Sequence, residues 1–261
     1  MTADAYPLPN ASFDLTGQVA LVTGATSGLG WRFAQVLAAA GAVVVPTGRR
    51  VERLQALSAL IAEQGGQAHP VPLDMTDADQ IKAAVDAAEE AAGRVTILVN
   101  NAGIPDAQRA HKMSVELVDQ VLATNLRGPY LLAIEVGRRL IEARQPGRIV
   151  NISSMVAFEY SAGAAAALYS ITKAGIARMT EVLAVEWARH HINVNGIAPG
   201  AFASEMMDGM LERVGDFTQM LPRKRLGDPA QLDSTLLYLC APSSDAVTGT
   251  VIKVDDGQQS R

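Results

Sequence analysis

The chain is poor in the residues that build disulfide frameworks, metal centres and nucleic-acid surfaces. Cys240 is its only cysteine in 261 residues, which excludes an internal disulfide and a cysteine metal site and fits a cytosolic redox compartment. Its neighbours Leu236, Leu237, Tyr238 and Leu239 mark it as a small buried hydrophobe. The four histidines, His69, His111, His190 and His191, show neither HxxxH nor HExxH spacing, so surface or helix-end roles are expected and no metal. A net charge of -5 gives no electrostatic footprint for nucleic acid, and Arg223-Lys224-Arg225 reads as a solvated loop. No apolar run has membrane-spanning length, and the first residues carry neither a basic n-region nor an apolar h-region; a soluble, cytoplasmic protein without membrane contact is expected. Linkers, repeats and low-complexity tracts are missing too, apart from a short alanine-rich stretch at 162–168. With 49% hydrophobic and only 5% aromatic residues, the chain predicts one large core of Ala, Val, Leu and Ile. A loose arm is expected over 1–16 and a single domain over 17–261.

Short β-branched runs are present at Val19 to Val22, Val43 to Pro46, Ala68 to Leu73, Ile97 to Val99, Arg148 to Ile152, Asn193 to Ala198 and Thr250 to Val254. Each predicts a buried strand. Helical periodicity fills the gaps, over Gly30 to Ala40, Val51 to Gln64, Asp77 to Ala92, Val115 to Arg144, Leu168 to His190 and Pro229 to Ala241. Such alternation predicts an α/β fold: a doubly wound, Rossmann-like parallel sheet of seven strands with helices on both faces. Ligands of such sheets bind beyond the carboxyl ends of the strands.

At the end of the first run stands Thr23-Gly24-Ala25-Thr26-Ser27-Gly28-Leu29-Gly30. Strand, glycine turn and helix start together form an anion site, where free N–H groups and the helix dipole face a pyrophosphate. The spacing is GxxxGxG, and no Lys-Ser/Thr follows, which disfavours a triphosphate-binding loop. Where an NAD-binding chain carries an acid at the end of its second strand, this one has Gly48 followed by Arg49 and Arg50. A planar guanidinium suits phosphate oxygens, so NADP(H) is favoured over NAD(H). Pairing of Arg49 and Arg50 with Glu52 or solvent is the plainer alternative.

Tyr169-Ser170-Ile171-Thr172-Lys173 places a phenol and an ammonium one turn apart on one helix face. A cation that close favours the phenolate, so the expectation is a Tyr169 acidified toward neutral pH and able to exchange protons. Hydride addition to a ketone leaves negative charge on oxygen, which calls for a proton donor and a second hydrogen bond to that oxygen.

Together these motifs resemble the short-chain dehydrogenase/reductase family, from Gln18 to Gly257, and within it the 3-oxoacyl-acyl-carrier-protein reductases and related carbonyl reductases. Asp74 and Met75 after the third strand, Asn100-Asn101-Ala102-Gly103 after the fourth, Asn125 in a helix, Ser153-Ser154 after the fifth and Pro199-Gly200 after the sixth follow in the family's order. The resemblance implies catalytic Asn125, Ser154, Tyr169 and Lys173. Ser154 would hold the carbonyl, Lys173 the nicotinamide ribose, and Asn125 a water that links Lys173 to solvent. It also implies that Asp74 contacts adenine, that Asn101, Ala102 and Gly103 line the cofactor cleft, and that Pro199, Gly200, Phe202 and Ser204 flank the nicotinamide, with Ser204 in place of the usual Thr. Val254-Asp255-Asp256-Gly257 departs from the family's Val-Asp-Gly-Gly.

Residues 201–226 fall where the family has its substrate lid. Their Phe202, Met206, Met207, Met210, Leu211, Phe217 and Met220 predict a hydrophobic carbonyl substrate, with Phe158 and Tyr160 reshaping its rim; an ordinary amphipathic helix packed on the core is the plainer alternative. The resemblance implies a homo-oligomer, commonly a tetramer. Three functions compete: an NADPH-dependent carbonyl reductase, an NAD-dependent alcohol dehydrogenase working oxidatively, and a nucleotide-binding sensor without turnover. The intact Ser154, Tyr169 and Lys173 speak against the last.

Overall fold

The computed structural model describes residues 9–160 and 165–258. Half of the arm expected over 1–16, part of the alanine-rich stretch and the last three residues of the expected domain fall outside them. The order is β1 (Val19–Val22), α1 (Gly28–Ala39), β2 (Val43–Gly48), α2 (Val51–Glu63), β3 (Gln67–Ala68), β4 (Val71–Pro72), α3 (Ala78–Ala92) and β5 (Ile97–Asn100). There follow α4 (Val115–Leu122), α5 (Gly128–Ala143), β6 (Gly147–Ile152), α6 (Ala167–Trp187), β7 (Ile192–Pro199), α7 (Glu205–Val214), α8 (Asp233–Cys240) and β8 (Val251–Val254).

The sheet is parallel, in the order β3-β2-β1-β5-β6-β7-β8, with β4 also on β2. Strand order reverses between β1 and β5, and the loops that leave those two strands form the crevice. Side chains alternate across the sheet. In β1, Ala20 and Val22 join a core with Phe33 and Leu37 of α1, Leu54 and Leu57 of α2, and Leu236 of α8. Val19 and Leu21 face the other core, with Ile81 of α3, Leu132 and Leu140 of α5, and Ile176 of α6. Cys240 is buried as expected, and burial pushes its thiol up to about 12.

Two expected elements are interrupted. The run Ala68 to Leu73 is split, because Pro70 has no N–H to give the ladder; β3 pairs with Val43 and Val44, and β4 with Thr47 and Gly48. The single helix expected over Val115 to Arg144 contains a π turn at Ala123–Arg127 between α4 and α5. One extra residue in a turn leaves hydrophobic periodicity almost unchanged, so the sequence gives no sign of it. Asn125 sits in that turn, 1% exposed.

Candidate active site

The glycine loop is fixed by the loop after β5. Asn101 Nδ2 donates to the carbonyls of Thr23 at 2.9 Å and Gly24 at 3.3 Å, while Thr23 Oγ1 accepts the N–H groups of Asn101 and Ala102, both at 3.0 Å. Gly24 and Gly28 adopt φ of +65° and +54°, which few other residues tolerate. Gly30 has no room for a methyl group, which would collide with the carbonyl of Gly24 and the amide of Asn101. Ser27 begins α1 without a side-chain cap, so the first-turn N–H groups remain available to an anion. This cradle fits the pyrophosphate of a dinucleotide. Leu29 packs against the first core.

At the end of β2 the two arginines part company. Arg50, beside Gly48, turns onto the glycine loop, with Nη2 2.8 Å from both Thr26 Oγ1 and Ser27 Oγ. Arg49 is exposed and has no ion-pair partner among the described residues. Asp74 closes a turn, its Oδ1 accepting from the N–H and the hydroxyl of Thr76 at 2.9 and 2.8 Å; the neighbouring Met75 is buried.

Ser154, Tyr169 and Lys173 converge at the end of β6. Ser153 and Ser154 have opposite fates: Ser153 Oγ is buried and donates to the Lys173 carbonyl at 2.8 Å, whereas the Ser154 hydroxyl accepts the Val156 N–H at 3.4 Å and lies close enough to the Tyr169 phenol to lower its pKa. Lys173 is 4% exposed; its Nζ donates to the Ile152 carbonyl at 2.7 Å and stands 5.5 Å from the centre of the Tyr169 ring. The acidified phenol expected from the sequence is not what these charges produce. Burial pushes Tyr169 up to about 12, opposed by the Ser154 hydroxyl and reinforced by Asp106, and burial brings Lys173 down to about 8. Desolvation outweighs the lysine because the ammonium is directed at a carbonyl rather than at the phenol oxygen. Tyr169 still keeps some accessible surface, so the ring is packed but not sealed.

Asn125 is tied to Ile104 by both of its polar side-chain atoms, with one acceptor site of Oδ1 left over. Its Nδ2 donates to the Ile104 carbonyl and its Oδ1 accepts the Ile104 N–H, each at 2.8 Å. Gly103 lies between it and the lysine: a methyl on Gly103 would come 3.5 Å from both Asn125 Oδ1 and Lys173 Nζ.

Asp106 is a positioning residue of the Tyr169 helix that sequence reasoning missed. Its Oδ2 accepts the N–H groups of Leu168 and Tyr169 at 2.8 and 3.0 Å, capping the first turn of α6, whose own N-cap, Ala166, has no side chain to do so. The carboxylate is 3% exposed and its Oδ1 has no hydrogen-bond partner among the described residues. Cap and helix are separated by 62 residues, so no local pattern could reveal the pair.

Among the expected substrate contacts, Met206 is exposed, and Met207 and Met210 are half-buried on α7. Phe158 is exposed under Lys253 at 4.8 Å, and the Tyr160 hydroxyl accepts the Ala166 N–H at 3.2 Å. Phe202 departs from the lining role: its ring is 6% exposed, belongs to the first core and covers Gly227. Ser204 caps α7, accepting the Met207 N–H at 3.2 Å. Pro199 ends β7, and Gly200 N–H donates to the Val254 carbonyl at 2.9 Å. Asp256, where the chain departs from the family pattern, pairs with Arg225 at 2.8 Å and Arg223 at 3.4 Å, so the basic loop is tied to the C-terminal segment rather than merely solvated.

A glycine cradle at the switch point of a parallel sheet, beside a converging serine, tyrosine and lysine, defines a dinucleotide-dependent oxidoreductase. Residues 18–214 match the short chain dehydrogenase family, and the chain belongs to it. It is similar to the 3-oxoacyl-[acyl-carrier-protein] reductase FabG of Aquifex aeolicus, 37% identical over 93% of this chain and 98% of the relative. It is also similar to the gluconate 5-dehydrogenase of Gluconobacter oxydans, 35% identical over 94% and 96%. A solved structure of actinorhodin polyketide ketoreductase with NADPH superposes with a TM-score of 0.88, at 32% identity over 92% of this chain and 97% of that one. The protein is an NAD(P)-dependent oxidoreductase acting on CH–OH groups.

Proposed function

We propose that the protein is an NADPH-dependent reductase of a hydrophobic carbonyl compound, with Ser154, Tyr169, Lys173 and Asn125 as its catalytic residues. The observation that carries this reading is the approach of the Ser154 hydroxyl to the Tyr169 phenol at the end of β6, with Lys173 one helical turn on. Two hydroxyls so placed can both reach one carbonyl oxygen. A bound nicotinamide supplies or accepts the hydride. Ser154 then orients the carbonyl, and Tyr169, held in its protonated form by burial, gives up the proton as charge develops on that oxygen. Lys173, already brought down to about 8, gives up or takes a proton near neutral pH and returns one toward the phenol. The clearance around Gly103, with Asn125 Oδ1 and Lys173 Nζ at equal distance, supports a water there as the next station.

NADP(H) is supported by Gly48, which puts no acid at the end of β2 and where a side chain would meet the Thr26 methyl, and by Arg49, which has no ion-pair partner among the described residues, beside Arg50. A hydrophobic substrate is supported by Met206, Met207 and Met210 on a helix none of whose residues is buried. Residues 17–261 form one catalytic domain with 201–226 as its lid, in the cytoplasm. Ile134 of α5 and Ile171, Val182 and Val185 of α6 are exposed apolar residues, and a groove between these helices is lined by Leu126, Tyr130 and Met179. That face supports pairing with a second copy of the chain, as the family resemblance implies, and assembly toward a tetramer.

A screen of acyl thioesters, cyclic ketones, steroids and small sugars, followed by NADPH absorbance, tests the substrate class; turnover of small polar sugars alone rules it out. Tyr169→Phe should lower kcat about 10²- to 10⁴-fold with cofactor affinity unchanged. Wild-type turnover in that variant rejects the mechanism.

A further inference from the structure

Arg50 lies at the centre of a charged cluster that joins the glycine loop, α2 and the lid. Nε donates to Thr26 Oγ1 at 3.1 Å, and Nη2 donates to Thr26 Oγ1 and Ser27 Oγ, both at 2.8 Å. The remaining contacts go to Glu205, the first residue of α7, with Nη2 3.0 Å from Oε2 and Nη1 3.4 Å from Oε1. Arg53 Nη2 stands 3.7 Å from Glu205 Oε1. In this basic corner the anion is therefore carried by the protein itself, on its lid. Ser204, the residue before it, lies against the loop, its Cβ 3.3 Å from where a methyl on Gly28 would be.

We infer that Glu205 is a cofactor-specificity residue: its carboxylate holds the Arg50 guanidinium that a phosphate on the adenosine ribose would otherwise engage, and thereby weakens binding of NADP(H) relative to NAD(H). The identity of the anion rests on the NADP(H) reading above. Two hydroxyls fix the guanidinium against the glycine loop, so its fork offers one open side, and that side takes a single anion. A phosphate dianion brought beside the carboxylate is repelled by it. Occupation is consequently an exchange, in which the carboxylate leaves as the phosphate arrives. Arg49 remains open to the phosphate in either state, so Glu205 lowers the preference without abolishing it.

Exchange is feasible because nothing in the core holds the lid residue: α7 has no buried residue, and the side chains of Arg50 and Glu205 are 44% and 53% exposed. Half-exposed pairs of this kind are weak, which makes the expected discrimination a matter of several-fold. Protonation is not the release route. Hydrogen bonds from Arg50 and Ser27 hold the Glu205 carboxyl below the usual carboxylate range, so it stays ionised at neutral pH. The same exchange frees the first turn of α7 from the glycine loop, so the lid responds to which cofactor is bound.

Calorimetric Kd values for NADP+ and NAD+ on the wild type and on Glu205→Gln test this without any substrate. The ratio Kd(NAD+)/Kd(NADP+) should rise about 3- to 10-fold in the variant, and the gain should shrink as salt is raised. An unchanged or lower ratio overturns the inference, provided that the melting temperature shows the variant folded, as an exposed position leads one to expect. The NADP(H) reading fails separately: a wild type that prefers NAD+, or whose ratio Arg49→Ala leaves unchanged, rejects that reading, while a gain in Glu205→Gln still upholds the role of Glu205. Failure of wild type to bind either cofactor overturns both.

Discussion

Thr23, Gly24, Asn101 and Ala102 bind one another through backbone and buried side-chain groups, whereas the 10 residues of α7, in contact with the same loop, include none that is buried. Beyond its base, where Phe202 is packed in the core and backbone bonds join Ala201 and Ala203 to Gly227, the lid is held by charge: Glu205 on Arg50 and Arg53, and Arg223 and Arg225 on Asp256. A cradle made of backbone cannot move without losing hydrogen bonds that water does not replace. Exposed ion pairs can be exchanged for other ions at almost no cost. The cleft thus joins a fixed half that positions a cofactor to an adjustable half that meets the substrate, the division expected where loops gate a reaction held on a rigid frame.

The strongest challenge to the fixed half is Gly30→Ala. The added methyl collides with the Gly24 carbonyl and the Asn101 amide, neither of which has slack. Overpacking of this kind costs about 1 to 3 kcal/mol, and because the loop must shift to relieve it, cofactor binding should be lost along with stability. Urea unfolding and calorimetry with NADP+ read the two effects. Normal binding in a folded Gly30→Ala protein would mean that the cradle yields as easily as the lid.

Lys173 gives the next largest effect. Its folded-state value of about 8 lies below the ordinary 10.5, so between these two pH values the unfolded chain binds the extra proton and the folded one does not. Stability therefore rises with pH across that window, and the burden of burying the cation is complete below it. Lys173→Met removes the dependence. The wild type should gain about 2 to 3 kcal/mol relative to the variant between pH 8 and 10.5. Parallel pH profiles of urea unfolding would show that the ammonium is not desolvated.

Asp106 ranks third. Asp106→Ala takes the cap from α6 and should cost about 1 to 2 kcal/mol, while Asp106→Asn keeps an acceptor and should cost less. Thermal unfolding of the pair decides it, and equal losses in both would assign the effect to the charge rather than to the cap.

How much of this was legible in the sequence follows from the range of the forces. Val19 to Val22 and the turn at Gly24 to Gly30 declare themselves locally, because a buried parallel strand needs a continuous apolar run and a phosphate turn needs glycine. Tyr169 and Lys173 are one helical turn apart, and spacing alone brings them together. What the sequence withheld depends on long-range partners or on geometry without periodicity. The cap on Tyr169 comes from Asp106, the π turn around Asn125 adds one residue to an unbroken pattern, and the partner of Arg50 lies 155 positions away in the lid. The direction of the Tyr169 shift was missed for a related reason. Proximity of a lysine can be read from spacing, but the burial of both groups and the turn of Nζ toward Ile152 cannot.

The smallest effect is expected at the far end of the lid. Asp256 has a φ of +54° and accepts from Arg225 Nε at 2.9 Å. Asp256→Gly relieves a left-handed conformation and at the same time removes two exposed ion pairs, contributions that are each small and of opposite sign. Global stability should therefore stay within about 0.5 kcal/mol of the wild type. The local result differs, since α7 and the loop after it have little packing to replace the lost tether. Backbone amide exchange should accelerate several-fold across 205–226 and remain unchanged in the glycine loop and in Asn101 and Ala102. Faster exchange in both regions would mean that the lid's clamp also braces the cradle, and the contrast between a fixed and an adjustable half would fall.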